Sequence, residues 1–497
     1  MPVFSPRRYQ PPYYPFKRDP LAVRAFTTFE RSVKGFLFGC RMCGNCILQE
    51  TAFICPMTCP KGLRNGPCGG STPERCYVDP SRPCTWYKIY ERAERMGHLD
   101  KMIEIQAPLD GRRVGHETWI DVYNFWRQRG LRLSVKDVFN RKNLQTAVDG
   151  FFYDLRQPDW WKGDDKYHAP AYDQPVSNLE RQLRTGQFTV TAEIAPPLSV
   201  DKGPLLKKVQ QLQDWVAAAN FTDNASATPR VSSQASAKIC LDAGLEPVMQ
   251  LQTRDRSRYV LESDALGAAI LGIRNILCLS GDHLRLGPGP LPKPDQNDMD
   301  AIQLLWMLRR MRDDGVYLDG REIKNRPQFF LGAAASPYAA VPRYEAIREE
   351  KKVNAGAQFI QTQPVFDYGR FLDWLEAVEK RNLLGKVYIL AGLIPLKSAK
   401  AAHFMADEVP GVVVPPEILK RMDDAKDQKE EGVAIALELI EKLKNTRGIS
   451  GLHIMAVHWE EIVPRLLKEA GIPQPVREFC ADCGDPLPKQ KPAAVAA

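Results

Sequence analysis

The sequence predicts an α/β chain: a (β/α)8 barrel of the TIM type behind an N-terminal cysteine-rich domain. Three observations carry this expectation. From Gly186 onward, short apolar runs alternate with amphipathic helical patterns, eight times over, in the space of about 290 residues. The runs are apolar along their length rather than alternating, as parallel strands covered on both faces are. The cysteines are clustered: the chain has 12, and those from Cys40 to Cys84 account for most of them.

Taken in order, the chain divides into four stretches. Residues 1–98 hold an N-terminal arm and the cysteine-rich domain, residues 99–184 an aromatic-rich connection, residues 185–475 the barrel, and residues 476–497 a cysteine pair and tail. The arm, Met1–Pro20, carries Pro, Arg and Tyr without an apolar core segment, so it does not read as a secretory signal. No apolar run reaches the ~18 residues of a membrane span. The expected location is the cytoplasm. With 497 residues the chain has room for two or three domains, and its 44% hydrophobic and 26% charged composition is that of a globular protein. The net charge of +8 is modest and spread over many helices, which speaks against nucleic acid and suits acidic ligands or acidic carrier proteins.

The cysteines follow the spacing Cys40-x2-Cys43-x2-Cys46-x8-Cys55-x3-Cys59-x8-Cys68-x7-Cys76-x7-Cys84. Without a secretion signal, such clustering points to metal rather than disulfides. Three thiolates spaced C-x2-C-x2-C can wrap three irons of a cubane while a remote cysteine takes the fourth. Eight thiols suffice for two [4Fe–4S] clusters. Tetrahedral zinc is the alternative, but zinc sites usually pair two C-x2-C knuckles and only the first group here has that shape. Cys480 and Cys483 form a further pair that would ligate or cover the same region. Cys240 and Cys278 read as small buried apolar residues.

The stretch Asp159–Pro175 has turn chemistry and reads as a linker packed on a neighbour. Strands are expected at Phe188–Ile194, Asn220–Asp223, Pro247–Gln252, Asn275–Ser280, Phe329–Ala334, Phe359–Gln363, Val387–Leu393 and Leu452–Ala456, with helices such as Leu205–Trp215, Ala235–Ala243 and Tyr344–Asn354 between them. An extra helix is expected around Glu431–Lys444. A doubly wound open sheet would show a glycine-rich turn after its first strand. Here that turn reads Ala195-Pro196-Pro197-Leu198, and no G-x-G-x-x-G stands at a strand–helix junction.

Chemistry in such barrels sits at the C-terminal ends of the strands. The polar residues placed there are Glu193, then Thr222 with Asp223 and Asn224, Gln250 and Gln252, Ser280 to His283 including Asp282, and Gln361 and Gln363. Polar side chains leaving apolar strands either find partners or line a site. Glu193 and Asp282 could face each other across the mouth, one as a proton donor and one as a fixed charge. The plain readings are a loop-capping carboxylate for Glu193 and a turn residue for Asp282.

Four segments together, Ala192–Pro197 (AEIAPP), Leu279–His283 (LSGDH), Lys351–Asp367 (KKVNAGAQFIQTQPVFD) and Ala391–Leu396 (AGLIPL), resemble the methylenetetrahydrofolate reductase family in order and spacing. The resemblance runs through most of residues 186–470. It implies a TIM barrel that binds a flavin across the strand ends and stacks a tetrahydrofolate derivative on it. It further implies that Glu193 is the acid that opens the methylene bridge and that Asp282 lies by the flavin's pyrimidine edge and the pterin. Gln363 and Gln250 are assigned to the folate, Thr222 to the flavin, and Lys352 to the flavin's phosphate side. Some members carry histidine where Gln250 stands and arginine where Ser280 stands. The missing arginine puts a tightly held dinucleotide in question; FAD is favoured, with FMN as the alternative. The segment Cys55–Gly70 (CPMTCPKGLRNGPCGG) resembles the cysteine-rich partner of the reductase in anaerobic one-carbon pathways, fused here to the barrel.

The resulting expectation is reduction of 5,10-methylenetetrahydrofolate to 5-methyltetrahydrofolate, or the reverse. Electrons would arrive through the cysteine domain from ferredoxin or another redox protein. The rivals are an NAD(P)H-dependent reductase with a structural zinc domain, and an electron-transfer or scaffold subunit whose barrel has lost catalysis. A homo-oligomer is compatible with any of the three.

Overall fold

The computed structural model describes residues 20–119, 158, 160–290 and 297–476. Cys480 and Cys483 lie outside these residues. β1 (Thr189–Ile194), β2 (Ala218–Phe221), β3 (Pro247–Gln252), β4 (Asn275–Leu279), β5 (Phe330–Ala335), β6 (Phe359–Pro364), β7 (Tyr388–Leu393) and β8 (Ile449–Ile454) close into one parallel barrel in sequence order. The seam pairs β1 with β8, Thr191 opposite His453.

β2 and β8 are displaced by two or more residues from their expected bounds, while the other strands differ by at most one at either end. β2 starts earlier, because the Ala217 amide already donates to Val190 O. It stops at Phe221 because the Asp223 carboxylate is drawn out of the ladder by the Gln252 amide and by Arg256. β8 also starts earlier, at Ile449, where Gly451 lies so close to Thr189 O that a Cβ would stand 1.8 Å from it. The extra helix after β7 is present as Gln428–Lys444, preceded by another, Pro416–Asp424.

Alternation along the strands sorts the side chains. Ala192, Ile194, Met249, Leu251, Ile276, Leu331 and Ile360 point outward and join the large core beneath the helices. The alternate residues Ala218, Val248, Leu277, Phe330, Phe359 and Leu390 fill the barrel's lower interior, and Leu179 and Leu183 of the helix Asn178–Arg184 plug it from below. The lower half of the barrel interior is therefore filled by side chains. In the linker, Trp161 is fully buried beside Trp306, and its indole N–H donates to Ile105 O. No helix among the described residues is long and apolar enough to cross a membrane.

Candidate active site and cysteine pockets

Above the apolar plug the inward positions turn polar, and each buried group must be satisfied. Asn220 and Gln361 bond amide to amide, the Gln361 amide also donates to the Thr191 hydroxyl at 3.0 Å, and that hydroxyl lies 3.0 Å from His453 Nδ1. The other ring nitrogen of His453 stands 3.8 Å from Glu193 Oε2, which accepts the Gln250 amide at 3.1 Å. Glu193 is therefore held on one oxygen, while its side chain keeps 24% exposure toward the mouth. His453 is absent from the sequence reading. Its signal was present: continuing the inward alternation back from the end of β8 puts the one histidine of that strand on the site side.

Asp282 sits in the loop after β4. One carboxylate oxygen accepts the Ser226 amide at 2.9 Å, and the other accepts the Tyr77 hydroxyl at 3.4 Å. Asn224, Ser226 and Ala227 all have left-handed backbones, with φ of 46°, 54° and 54°. Such strain collects where a loop is shaped around a site. Arg254 ties the loops together, donating to Asp282 O at 3.0 Å and Asn224 O at 3.1 Å while its fork pairs with Asp255. The Thr222 hydroxyl, at the end of β2, is buried with no hydrogen-bond partner among the described residues. An orphaned buried hydroxyl at a barrel mouth suits a bound polar ring. Gln363 is half-buried at the end of β6.

Lys352 lies in the helix Pro342–Asn354, buried, its ammonium donating to Ala334 O at 2.7 Å and Glu349 Oε1 at 2.8 Å. Burial, and Arg348 beside it, hold Lys352 below the usual lysine range, and burial pushes Glu349 up. Burial lowers Arg348, but Glu345, Glu349 and Cys68 around it raise it above the usual arginine range.

Among the described residues the cysteines are free thiols; Cys240 and Cys278 are buried in the barrel, and the other eight divide into two sets. Cys40, Cys43, Cys46 and Cys55 line one pocket with Glu30, Lys34 and Arg64. The Arg64 guanidinium is fully buried, which pulls it down, while Cys43, Cys46 and Asp300 pull it back up. Cys59, Cys68, Cys76 and Cys84 form the second set: burial and Cys68 push the Cys59 thiol up to about 12, and burial, with Cys68 and Cys76, pushes Cys84 up to about 11. Gly44, in the first set's loop, has φ 68°, and a Cβ there would lie 1.8 Å from Arg113 O. An all-thiol donor set beside buried cations suits a thiophilic metal or cluster, which would hold the sulfurs as thiolates. Among the described residues no three Cys, His, Asp or Glu side chains already stand together as a metal-ion site.

The cysteine segment is seated on the barrel rim by polar contacts. The Lys61 ammonium donates to Gly281 O at 2.5 Å, next to Asp282. The Arg64 amide and the Asn65 side chain both donate to Asp300 Oδ2, at 3.2 and 2.9 Å. Gly69 presses against Ser336, where a Cβ would come within 2.0 Å of the hydroxyl. Trp86, Tyr87 and Tyr90 pack on Tyr344 and Ile347 of the barrel. Between segment and barrel lies a cavity of about 510 Å³ whose walls include Arg41, Cys43, Cys59, Arg82, His283 and Arg285.

The sequence profile of the family described as methylenetetrahydrofolate reductase matches residues 178–471. A second profile, described as methylene-tetrahydrofolate reductase C terminal, matches residues 20–112, ahead of the barrel. Methylenetetrahydrofolate reductase 1 of Schizosaccharomyces pombe is 24% identical over 304 residues, 58% of this chain and 46% of that protein. Methylenetetrahydrofolate reductase 2 of Saccharomyces cerevisiae is 25% identical over 260 residues, 50% of this chain and 40% of that protein. The 5,10-methylenetetrahydrofolate reductase of Pectobacterium carotovorum subsp. carotovorum is 23% identical over 317 residues, 62% of this chain and 97% of that protein. The chain thus spans less than half the length of the two fungal relatives.

Proposed function

Because this chain belongs to the methylenetetrahydrofolate reductase family, we propose that its barrel interconverts 5,10-methylenetetrahydrofolate and 5-methyltetrahydrofolate. The observation that carries this reading is the Glu193 carboxylate, held on one oxygen by Gln250, faced by His453 and open toward the mouth. As the acid, Glu193 gives its proton to the nitrogen that leaves the methylene bridge, so the exocyclic carbon becomes an electrophilic iminium. A carboxyl held in one orientation by an amide donor is poised for that transfer. Gln250 orients it, and His453, itself 3.0 Å from the Thr191 hydroxyl, stands 3.8 Å from the same oxygen.

A bound flavin, FAD in our reading, would supply the hydride that this carbon receives. Thr222 would meet the ring with its unpartnered hydroxyl, and Asp282 would face the pyrimidine edge and the pterin. Gln363 would bind the folate, and Lys352 is our candidate for the flavin's phosphate side. Cys40, Cys43, Cys46 and Cys55 would hold one [4Fe–4S] cluster and Cys59, Cys68, Cys76 and Cys84 a second. Such clusters supply one-electron transfer, with ferredoxin or another redox protein as the donor class.

Anaerobic purification with flavin, iron, sulfide and zinc analysis tests the assignment. We expect about one flavin per chain, reduced on addition of methyltetrahydrofolate. Glu193→Gln should keep the flavin and slow folate turnover by on the order of 10² or more. A colourless protein with full activity, or near-normal turnover in Glu193→Gln, overturns the reading.

A further inference from the structure

We infer that Tyr77, carried by the cysteine segment, is a positioning residue of the barrel site: its hydroxyl fixes the Asp282 carboxylate against the ligands that the mouth receives. The inference rests on the flavin–folate reading above and adds a residue from outside the barrel to it.

Three observations support it. First, the phenol is aimed by its own loop. The Tyr77 amide donates to Ser71 Oγ at 3.0 Å, and Gly70 packs so closely on the Tyr77 ring that a Cβ there would stand 3.2 Å from it. Second, the loop is seated on the barrel through Gly69 at Ser336 and Gly70 at Pro410. The tyrosine's position relative to the mouth is therefore set by backbone contacts and not by a mobile side chain. Third, the two oxygens of Asp282 are held separately, one by the Ser226 amide of the barrel's own strained loop and one by Tyr77. Two donors on two oxygens define both the rotation and the plane of a carboxylate, whereas one donor leaves it free to swivel. The barrel loop supplies only one. The second comes from a residue 205 positions away in sequence, adjacent to Cys76.

The consequence is that docking of the cysteine segment completes the binding site in addition to whatever its thiols hold. Without the hydroxyl, Asp282 turns on its remaining bond and grips flavin and pterin less well.

The test uses the full chain, purified anaerobically, with free flavin and methyltetrahydrofolate as probes. Tyr77→Phe should weaken flavin binding, read by fluorescence quenching, by roughly tenfold, the scale of one lost charge-assisted bond. It should also shift the visible band of the bound flavin and raise the KM for the folate more than it lowers kcat. In a cycle with Asp282→Asn, the double variant should be no worse than Asp282→Asn alone. If Tyr77→Phe loses its metal or precipitates, Gly70→Ala serves instead: its Cβ would crowd Pro410 and the Tyr77 ring while the hydroxyl is kept, and it must weaken flavin binding in the same direction. Unchanged flavin affinity and spectrum in a variant whose parent binds flavin, or additive losses in the cycle, overturn the role of Tyr77. A parent that binds no flavin overturns the underlying reading as well, and the two failures are told apart by that parent alone.

Discussion

The barrel and the cysteine segment bury different kinds of matter. In the barrel, whole faces of Leu, Ile, Val and Trp go inside, with Trp306, Trp374 and Phe330 among the largest side chains fully covered. That burial stabilises by area, at roughly 25 cal/mol per Å², and needs nothing from outside the chain. Between Gly39 and Cys84 the segment has one regular element among the described residues, a three-residue 3-10 turn at Pro56–Thr58. What it buries there includes Lys61, Arg64, Asn65 and the thiols of Cys55, Cys76 and Cys84. Its apolar cluster is small and borrows Tyr344 and Ile347 from the barrel. One region folds on its own core; the other is held by its neighbour and, in our reading, by what its sulfurs bind.

The largest effect expected from this contrast follows metal removal. Chelation should strip hydrogen-exchange protection from residues 40–84 while the strand amides of β1–β8 keep theirs, because metal binding and folding are one equilibrium in such segments. Equal protection in both regions would break the comparison. Cys43→Ala sharpens it: on the proposed electron route, activity with a protein donor should vanish while a dye that reaches the proposed flavin directly still supports turnover. Parallel loss of both assays, with zinc in the parent, would mean that the metal is structural.

Next is Gly44→Ala. Its φ of 68° and the Arg113 carbonyl at 1.8 Å leave a methyl group nowhere to go. We expect this variant to lose metal without lowering the barrel's thermal midpoint, as measured by metal analysis and calorimetry. The mirror experiment is Leu305→Ala, at a fully buried position of the helix Ala301–Asp313. It should cost the barrel about 2–5 kcal/mol in denaturant unfolding and leave metal content unchanged.

The smallest effect lies at the boundary. Lys351 is buried with its ammonium on Asn65 Oδ1, facing Asp300 and Glu104, and burial lowers it from 10.5 to about 8. The folded chain sheds this proton first and the unfolded chain keeps it up to about pH 10.5. Between these values the unfolded state binds more protons, so stability rises with pH, by up to about 3 kcal/mol. Lys351→Met should flatten that stretch of the stability–pH curve; an unaltered slope refutes the assignment.

Much of this was legible in the sequence. The eight strands are short apolar runs in a fixed rhythm, and local composition decides them. β2 and β8 slipped because their ends are set by tertiary contacts: Asp223 is pulled away by Arg256, and Gly451 fits where it does only because Thr189 O is there. Glu193, Thr222 and Gln363 could be placed at the strand ends from the sequence because runs of parallel strands announce where they stop; the roles given to them are our proposal. Tyr77 could not be found that way. Its contact with Asp282 depends on how one loop of the segment settles on a rim built 205 residues later. The division of the thiols into two sets of four was likewise beyond spacing, since Cys55 and Cys59 are nearly adjacent yet belong to different sets.

The bonds from Arg64 and Asn65 to Asp300 also set a timetable. Arg64 and Asp300 are 236 residues apart, and a ribosome adds about 5–20 residues per second. The cysteine loop therefore leaves the exit tunnel on the order of tens of seconds before the carboxylate that anchors it exists. Through that interval its sulfurs have no finished pocket and no barrel wall beside them. A chain synthesised in air passes through this exposed stage before its fold can offer any shelter, so, if the thiols hold metal as we propose, the oxygen present during translation, more than that during purification, should govern how much is loaded.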